Sequence, residues 1–114
     1  MDGAVTDIAV DTTFGLRVSM SSSKGDISAW ESNEKKPDSL HNTELIQTDH
    51  WNIFENPHGI EVPAEDLLVY KEKQRHVVRS IFSVDDPSIT ICCCDSLQYL
   101  YIRDLERHEV MIVI

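Results

Sequence analysis

Apolar and polar residues alternate with a period of two along much of this chain, which is the mark of half-buried strands. Val5-Thr6-Asp7-Ile8-Ala9-Val10 predicts a first strand, and Leu16-Arg17-Val18-Ser19-Met20 predicts a second beyond a turn at 11–15. Ser21 to Asp26 supplies turn chemistry before Ile27-Ser28-Ala29-Trp30 resumes the alternation. The last third of the chain predicts four successive antiparallel strands with short connections: Val77–Val84, Ile89–Cys94, Tyr99–Ile102 and Val110–Ile114. Here alternation places Ile89, Ile91 and Cys93 on one face, sharing a core with Leu100 and Ile102, and puts Thr90 on the other side.

The two strand groups repeat each other. Ala4 to Glu31, shifted by 73 positions without a gap, lies over Val77 to Asp104 and pairs Val5 with Val78, Ile8 with Ile81, Val18 with Ile91, Ile27 with Leu100 and Ala29 with Ile102. A unit of this kind has an apolar face it cannot bury alone, which points to stacked sheets and a binding scaffold more than to a catalytic pocket.

Between the repeats, from Glu31 to about Glu65, Asn, Asp, Ser, Pro and Lys dominate and the stretch reads as loop or insertion. Glu44-Leu45-Ile46-Gln47 fits a short strand. Trp51, Ile53 and Phe54 form an apolar cluster that fits either a plug on the domain's own core or a partner site. Pro63-Ala64-Glu65-Asp66 resembles a helix start, with Lys71, Lys73, Arg75 and His76 at the other end, yet Leu67-Leu68-Val69-Tyr70 reads equally well as strand. The expected layout is one structural unit with a first repeat over 1–32, an insertion over 33–65 and a second repeat over 66–114. Its fold class is mainly β, in antiparallel four-stranded sheets, with a single helix near 63–76 as an option and a compact α+β domain as the alternative.

A net charge of -10 argues against a surface that tracks nucleic-acid phosphates. No apolar run is long enough to span a membrane, and Met1-Asp2-Gly3 lacks the basic and apolar regions of a signal peptide, so the expectation is an intracellular, cytoplasmic protein. Cys92-Cys93-Cys94 has no disulfide spacing and reads as reduced thiols in a two-sided core. No Cys-x-x-Cys or His-x-x-x-His spacing supports a metal site, no electropositive neighbour activates a cysteine, and Ser23-Lys24-Gly25 lacks the glycine spacing of a phosphate loop. The expectation is therefore no catalytic residue, no metal and no cofactor.

The segments Ser21-Ser22-Ser23-Lys24-Gly25-Asp26-Ile27-Ser28-Ala29-Trp30-Glu31 and Cys94-Asp95-Ser96-Leu97-Gln98-Tyr99-Leu100-Tyr101-Ile102-Arg103-Asp104 resemble blades of WD-repeat β-propellers, in which a small-residue strand and a polar turn precede Ile-x-Val-Trp-Asp. The resemblance makes Trp30, Glu31, Arg103 and Asp104 the repeat positions. It departs from the family at the turn, where Lys24 and Leu97 stand and Asp95 is displaced, and His76 lacks its preceding glycine. A propeller closes with at least about four blades, so the resemblance implies a partial propeller. The chain's apolar end at Val110–Ile114 fits a strand belonging to a larger sheet system. The implied function is a non-enzymatic protein–protein interaction scaffold that meets a protein partner or itself through open sheet edges, with Trp51, Phe54, Val110, Ile112 and Ile114 as candidate contacts. The rival reading is a small acidic α+β domain that binds or inhibits a basic partner.

Overall fold

The computed structural model describes residues 3–32, 44–55, 76–97 and 99–114. Their regular structure is all strand: β1 (Val5–Asp11), β2 (Arg17–Ser22), β3 (Asp26–Ser32) and β4 (Leu45–Asn52) form one antiparallel sheet, while β5 (Val78–Phe82), β6 (Ile89–Cys94), β7 (Leu100–Asp104) and β8 (Glu109–Val113) form another. Both are meanders in chain order. The helix considered over 63–76 lies outside the described residues except for His76, which precedes β5. The fourth strand of the first sheet is drawn from what reads as insertion, and it runs past Gln47 to include Trp51. Among the described residues, no helix is long and apolar enough to cross a membrane.

The sheets stack face to face, and their backbones come closest where β5 lies against β1 and β2. There the Thr6 hydroxyl donates to the Val78 carbonyl (2.7 Å), the Ser80 amide donates to Asp7 (3.3 Å), and Ser19 and Ser80 share a buried hydroxyl contact of 3.2 Å. Farther from this seam the space between the sheets is filled by larger groups, among them Trp51, Tyr101 and Arg103. The core is a wedge, small side chains at its thin edge and aromatic ones toward the thick edge. Ile27, Trp51, Ile53, Phe54, Val78, Cys92, Cys94, Leu97, Tyr101 and Val110 form one buried cluster. Each large member contributes roughly 1.5–3 kcal/mol by leaving water. Trp51 and Phe54 thus plug the chain's own core, and neither they nor Val110 present a partner surface; Ile112 and Ile114 are exposed.

The facing of β6 corrects the sequence reading. Ile89, Ile91 and Cys93 do share a side with Leu100 and Ile102, but that side points away from the first sheet, and the buried side is Thr90, Cys92 and Cys94. The apolar count misleads because the thin edge admits only small side chains. Cys93 is exposed, contrary to a two-sided core.

Hydrogen bonding also refines the repeat. Cross-strand partners make Asp7, Ser19 and Ser21 equivalent to Arg79, Ile91 and Cys93, a spacing of 72, whereas Val5 with Val78 and Ala29 with Ile102 keep 73. A bulge between Val5 and Asp7 drops the spacing by one. The β6–β7 turn, one residue longer than the β2–β3 turn, restores it. A second bulge recurs at matching places, Ala29/Trp30 in β3 and Ile102/Arg103 in β7, so Trp30 and Glu31 do correspond to Arg103 and Asp104.

Two substitutions test the facing. Thr90→Asp is expected to destabilise the chain by several kcal/mol, because it places a second carboxylate in the dry seam beside Arg103, whose fork Asp49 already occupies. Ile91→Asp is expected to cost clearly less in dilute solution, and urea unfolding midpoints compare them. The reverse order would show that β6 is turned over.

Gly25, at a φ of 88°, closes the β2–β3 turn in the left-handed region, and a Cβ built on it would lie 2.4 Å from the buried Phe54 ring. Gly25→Ala is expected to lower stability by about 2–4 kcal/mol through backbone strain and overpacking, whereas Lys24→Ala beside it should change little. Thermal unfolding of the two variants is the check.

Candidate functional site

Three groups of chemistry-bearing residues stand out. The first caps the seam at the turn end of both sheets. The His76 amide donates to the Ser23 carbonyl (3.0 Å), and its ring packs on Phe54 with centroids 4.4 Å apart. Its Nδ1 lies 2.7 Å from Ser96 Oγ, and that hydroxyl donates to Asp95 Oδ1 at 3.1 Å. A hydroxyl has one proton to give, so when Ser96 donates to Asp95 it accepts from His76 Nδ1. The Asp95 carboxylate also accepts from the Val77 amide (3.0 Å), the main reason its carboxyl is held below the usual range. In the first sheet Ser23 does the same work, accepting from the Ala4 amide at 3.0 Å, so the displaced Asp95 is the structural counterpart of Ser23.

Ligand atoms of His76, Cys94 and Asp95 lie within 4.8 Å of one another, a spacing that could admit a metal ion. Burial pushes the Cys94 thiol up, and its proton points to Asp95 at 3.6 Å. These contacts join His76, Cys94, Asp95 and Ser96 into a hydrogen-bonded cap. Cys92 is pushed up further, to about 11, by burial in the seam 3.4 Å from Ser80 Oγ.

The second group is charged and spans the thick edge. Arg103 of β7 grips Asp49 of β4 with two parallel bonds, Nε to Oδ2 at 2.8 Å and an Nη to Oδ1 at 2.9 Å, with both side chains under 5% exposed. The guanidinium lies 4.9 Å from the centre of the Trp51 ring, and Trp51 meets Tyr101 edge-on at 5.9 Å. His108, in the left-handed region in the β7–β8 turn, adds Nδ1 to the same carboxylate at 3.0 Å. Burial works to raise the Asp49 carboxyl, and the bonds from Arg103 and His108 overcome it and hold the group below its ordinary value. Asp104 caps the turn by accepting from the Glu106 and Arg107 amides, while Glu31 pairs with Arg17 across the strands at 3.4 Å. Asp49 was not singled out by the sequence; an arginine inside an otherwise apolar strand was the one signal available.

The third group is open. On the outer side of the second sheet, Ile81, Ile91, Ile102 and Ile112 stand as direct cross-strand partners in one row across all four strands. Ile81 is 55% and Ile112 47% exposed, with Ile114 beyond them at 70%. The outer side of the first sheet carries Ile8, Val10, Val18, Met20 and Trp30, the first two more than half exposed. Comparison of the chain with protein-family models, with curated proteins and with solved structures gives no match.

The buried ion pair sets a pH dependence. A carboxyl whose folded value is depressed adds stability above its unfolded value near 3.9 and loses it as pH falls through the folded value. Asp49→Asn is expected to cost about 3–5 kcal/mol at pH 7, where Arg103 is left buried without its counter-charge. The gap to the wild type should narrow by pH 3, and urea unfolding at the two pH values measures it. An equal gap at both would show that the charge of Asp49 does not matter.

Proposed function

We propose that this chain is a non-enzymatic protein–protein interaction scaffold element, built from two stacked sheets that resemble partial-propeller blades of the WD-repeat kind. The observation that carries the reading is how equivalent faces are used. The row Ala9–Ser19–Ala29–Asp49 of the first sheet is covered by the second sheet, while among the described residues no sheet lies upon its counterpart in the second sheet, Ile81–Ile91–Ile102–Ile112. Contiguous exposed apolar surface of this kind marks interaction sites in soluble proteins. The charged cluster fits the same reading, since Asp49 is engaged by Arg103 and His108 across the two sheets and holds the scaffold together.

A photo-cross-linking amino acid placed at Ile102 should capture a protein, whether another copy or a different one, when the purified chain and a cell extract containing it are irradiated. The same group at Glu106, in the exposed β7–β8 turn, should capture little. Equal or absent capture at the two positions in both samples would remove the interaction-face reading.

A further inference from the structure

The internal stack is heterologous: the side of the first sheet that carries Ser19 meets the side of the second that carries Ser80, and the repeat equivalences map these onto opposite outer faces of the pair. The outer face of the second sheet is a copy of the covered face of the first. The outer face of the first sheet is likewise a copy of the covered face of the second. From this continuity with the internal interface, and from the chemistry below, we infer that the outer face of the second sheet docks on the outer face of the first sheet of another copy of this chain, repeating the internal stack head to tail.

The side chains at the matching positions change together. Inside, Ser19 meets Ser80 through hydroxyls; at the equivalent outer positions stand Ile91 and Ile8. Asp49 grips Arg103 inside, and the outer counterparts are Ile112 and Trp30. Trp51 packs on Tyr101 inside; outside, the smaller Ile114 faces the position of Ser28. At the first two places a polar pair has become an apolar pair on both outer faces at once, so each offers the other a match there; at the third Ile114 meets a serine, and Arg79, the outer counterpart of Asp7, comes beside Ile8. Heterologous contacts close into rings when the rotation per unit divides a full turn. With two sheets among the described residues of each chain and about four to eight blades in closed propellers, the ring would hold about two to four copies. Each copy carries a net charge of -10, so association should strengthen with salt as mutual repulsion is screened. The inference rests on the interaction-scaffold reading and names its partner.

Size-exclusion chromatography with light scattering on the purified full chain tests it. The wild type should elute as a multiple of 13.0 kDa, with more of the multimer at higher salt. Ile112→Glu on one face and Ile8→Lys on the other should each weaken association by about a hundredfold, since the first would bury an unpaired charge and the second would set a cation against Arg79, the outer counterpart of Asp7. An equimolar mixture of the two variants should form a heterodimer, because each keeps the face the other has lost. Ile81→Glu and Val10→Glu, at positions more than half exposed, replace the first pair if either fails to show a wild-type circular dichroism spectrum. Loss of association in the second-sheet variant alone, with none in the first-sheet variant, would mean two-fold pairing of like faces and overturn the inference. A wild type that stays at 13.0 kDa to about 100 µM in high salt would overturn it too. If cross-linking at Ile102 then still captures a different protein, the scaffold reading stands and only its partner was misassigned.

Discussion

Everything in this molecule depends on how closely β5 can approach β1 and β2. The hydroxyl contact of Ser19 and Ser80, the bond from Thr6 to the Val78 carbonyl and the bond from the Ser80 amide to Asp7 all need backbones nearer together than packed leucines or phenylalanines permit. Once that edge is set, the sheets diverge, and the widening gap dictates what fills it. Cys92 and Cys94 fit where the space is still narrow; Trp51, Tyr101 and the long arm of Arg103 fit where it is wide. Larger side chains at Ser19 or Ser80 would force the strands apart and pull Arg103 away from Asp49.

The ion pair at the wide edge works differently from the apolar core. Burying two charges is costly, and a bidentate pair with an aromatic ring beside the cation recovers that cost mainly by good geometry. Its value is therefore selectivity of position. A hydrophobic wedge alone tolerates small slips of one sheet over the other, whereas the fork of Arg103 fits the Asp49 carboxylate in one placement, reinforced by His108 from the next turn.

Much of the fold was legible because period two is a strong signal where strands have one dry face. The strands of both repeats and the correspondence of Trp30 and Glu31 with Arg103 and Asp104 all follow from alternation and offset. The facing of β6 was not legible, because the rule that the more aliphatic side is buried fails when the seam demands Thr90, Cys92 and Cys94 and leaves isoleucines outside. β4 was only partly legible: its outer half, Leu45 to Gln47, is exposed, and its buried residues include Asp49, which no hydropathy pattern marks as interior. A bulge and a one-residue longer turn cancel in the offset, so an ungapped overlay hid both. The cap of His76, Asp95 and Ser96 was obscured for the same reason, since the counterpart of Asp95 is Ser23 at a spacing of 72.

The placement of Cys92 has a kinetic meaning. Each sheet is a meander whose pairings are local in sequence, whereas the seam joins residues 61 to 73 positions apart, such as Ser19 with Ser80 and Asp7 with Ser80. Local hairpins close quickly and distant contacts follow, which makes separation of the two sheets the natural first step of opening. Cys92 is fully buried in the seam beside Ser80, while Cys93 already faces outward. Neighbouring thiols therefore sit on opposite sides of a single event: in the single chain one is open to solvent, and the other meets it only during the intervals when the sheets have come apart, so the ratio of their reaction rates gauges the fraction of time the stack spends open.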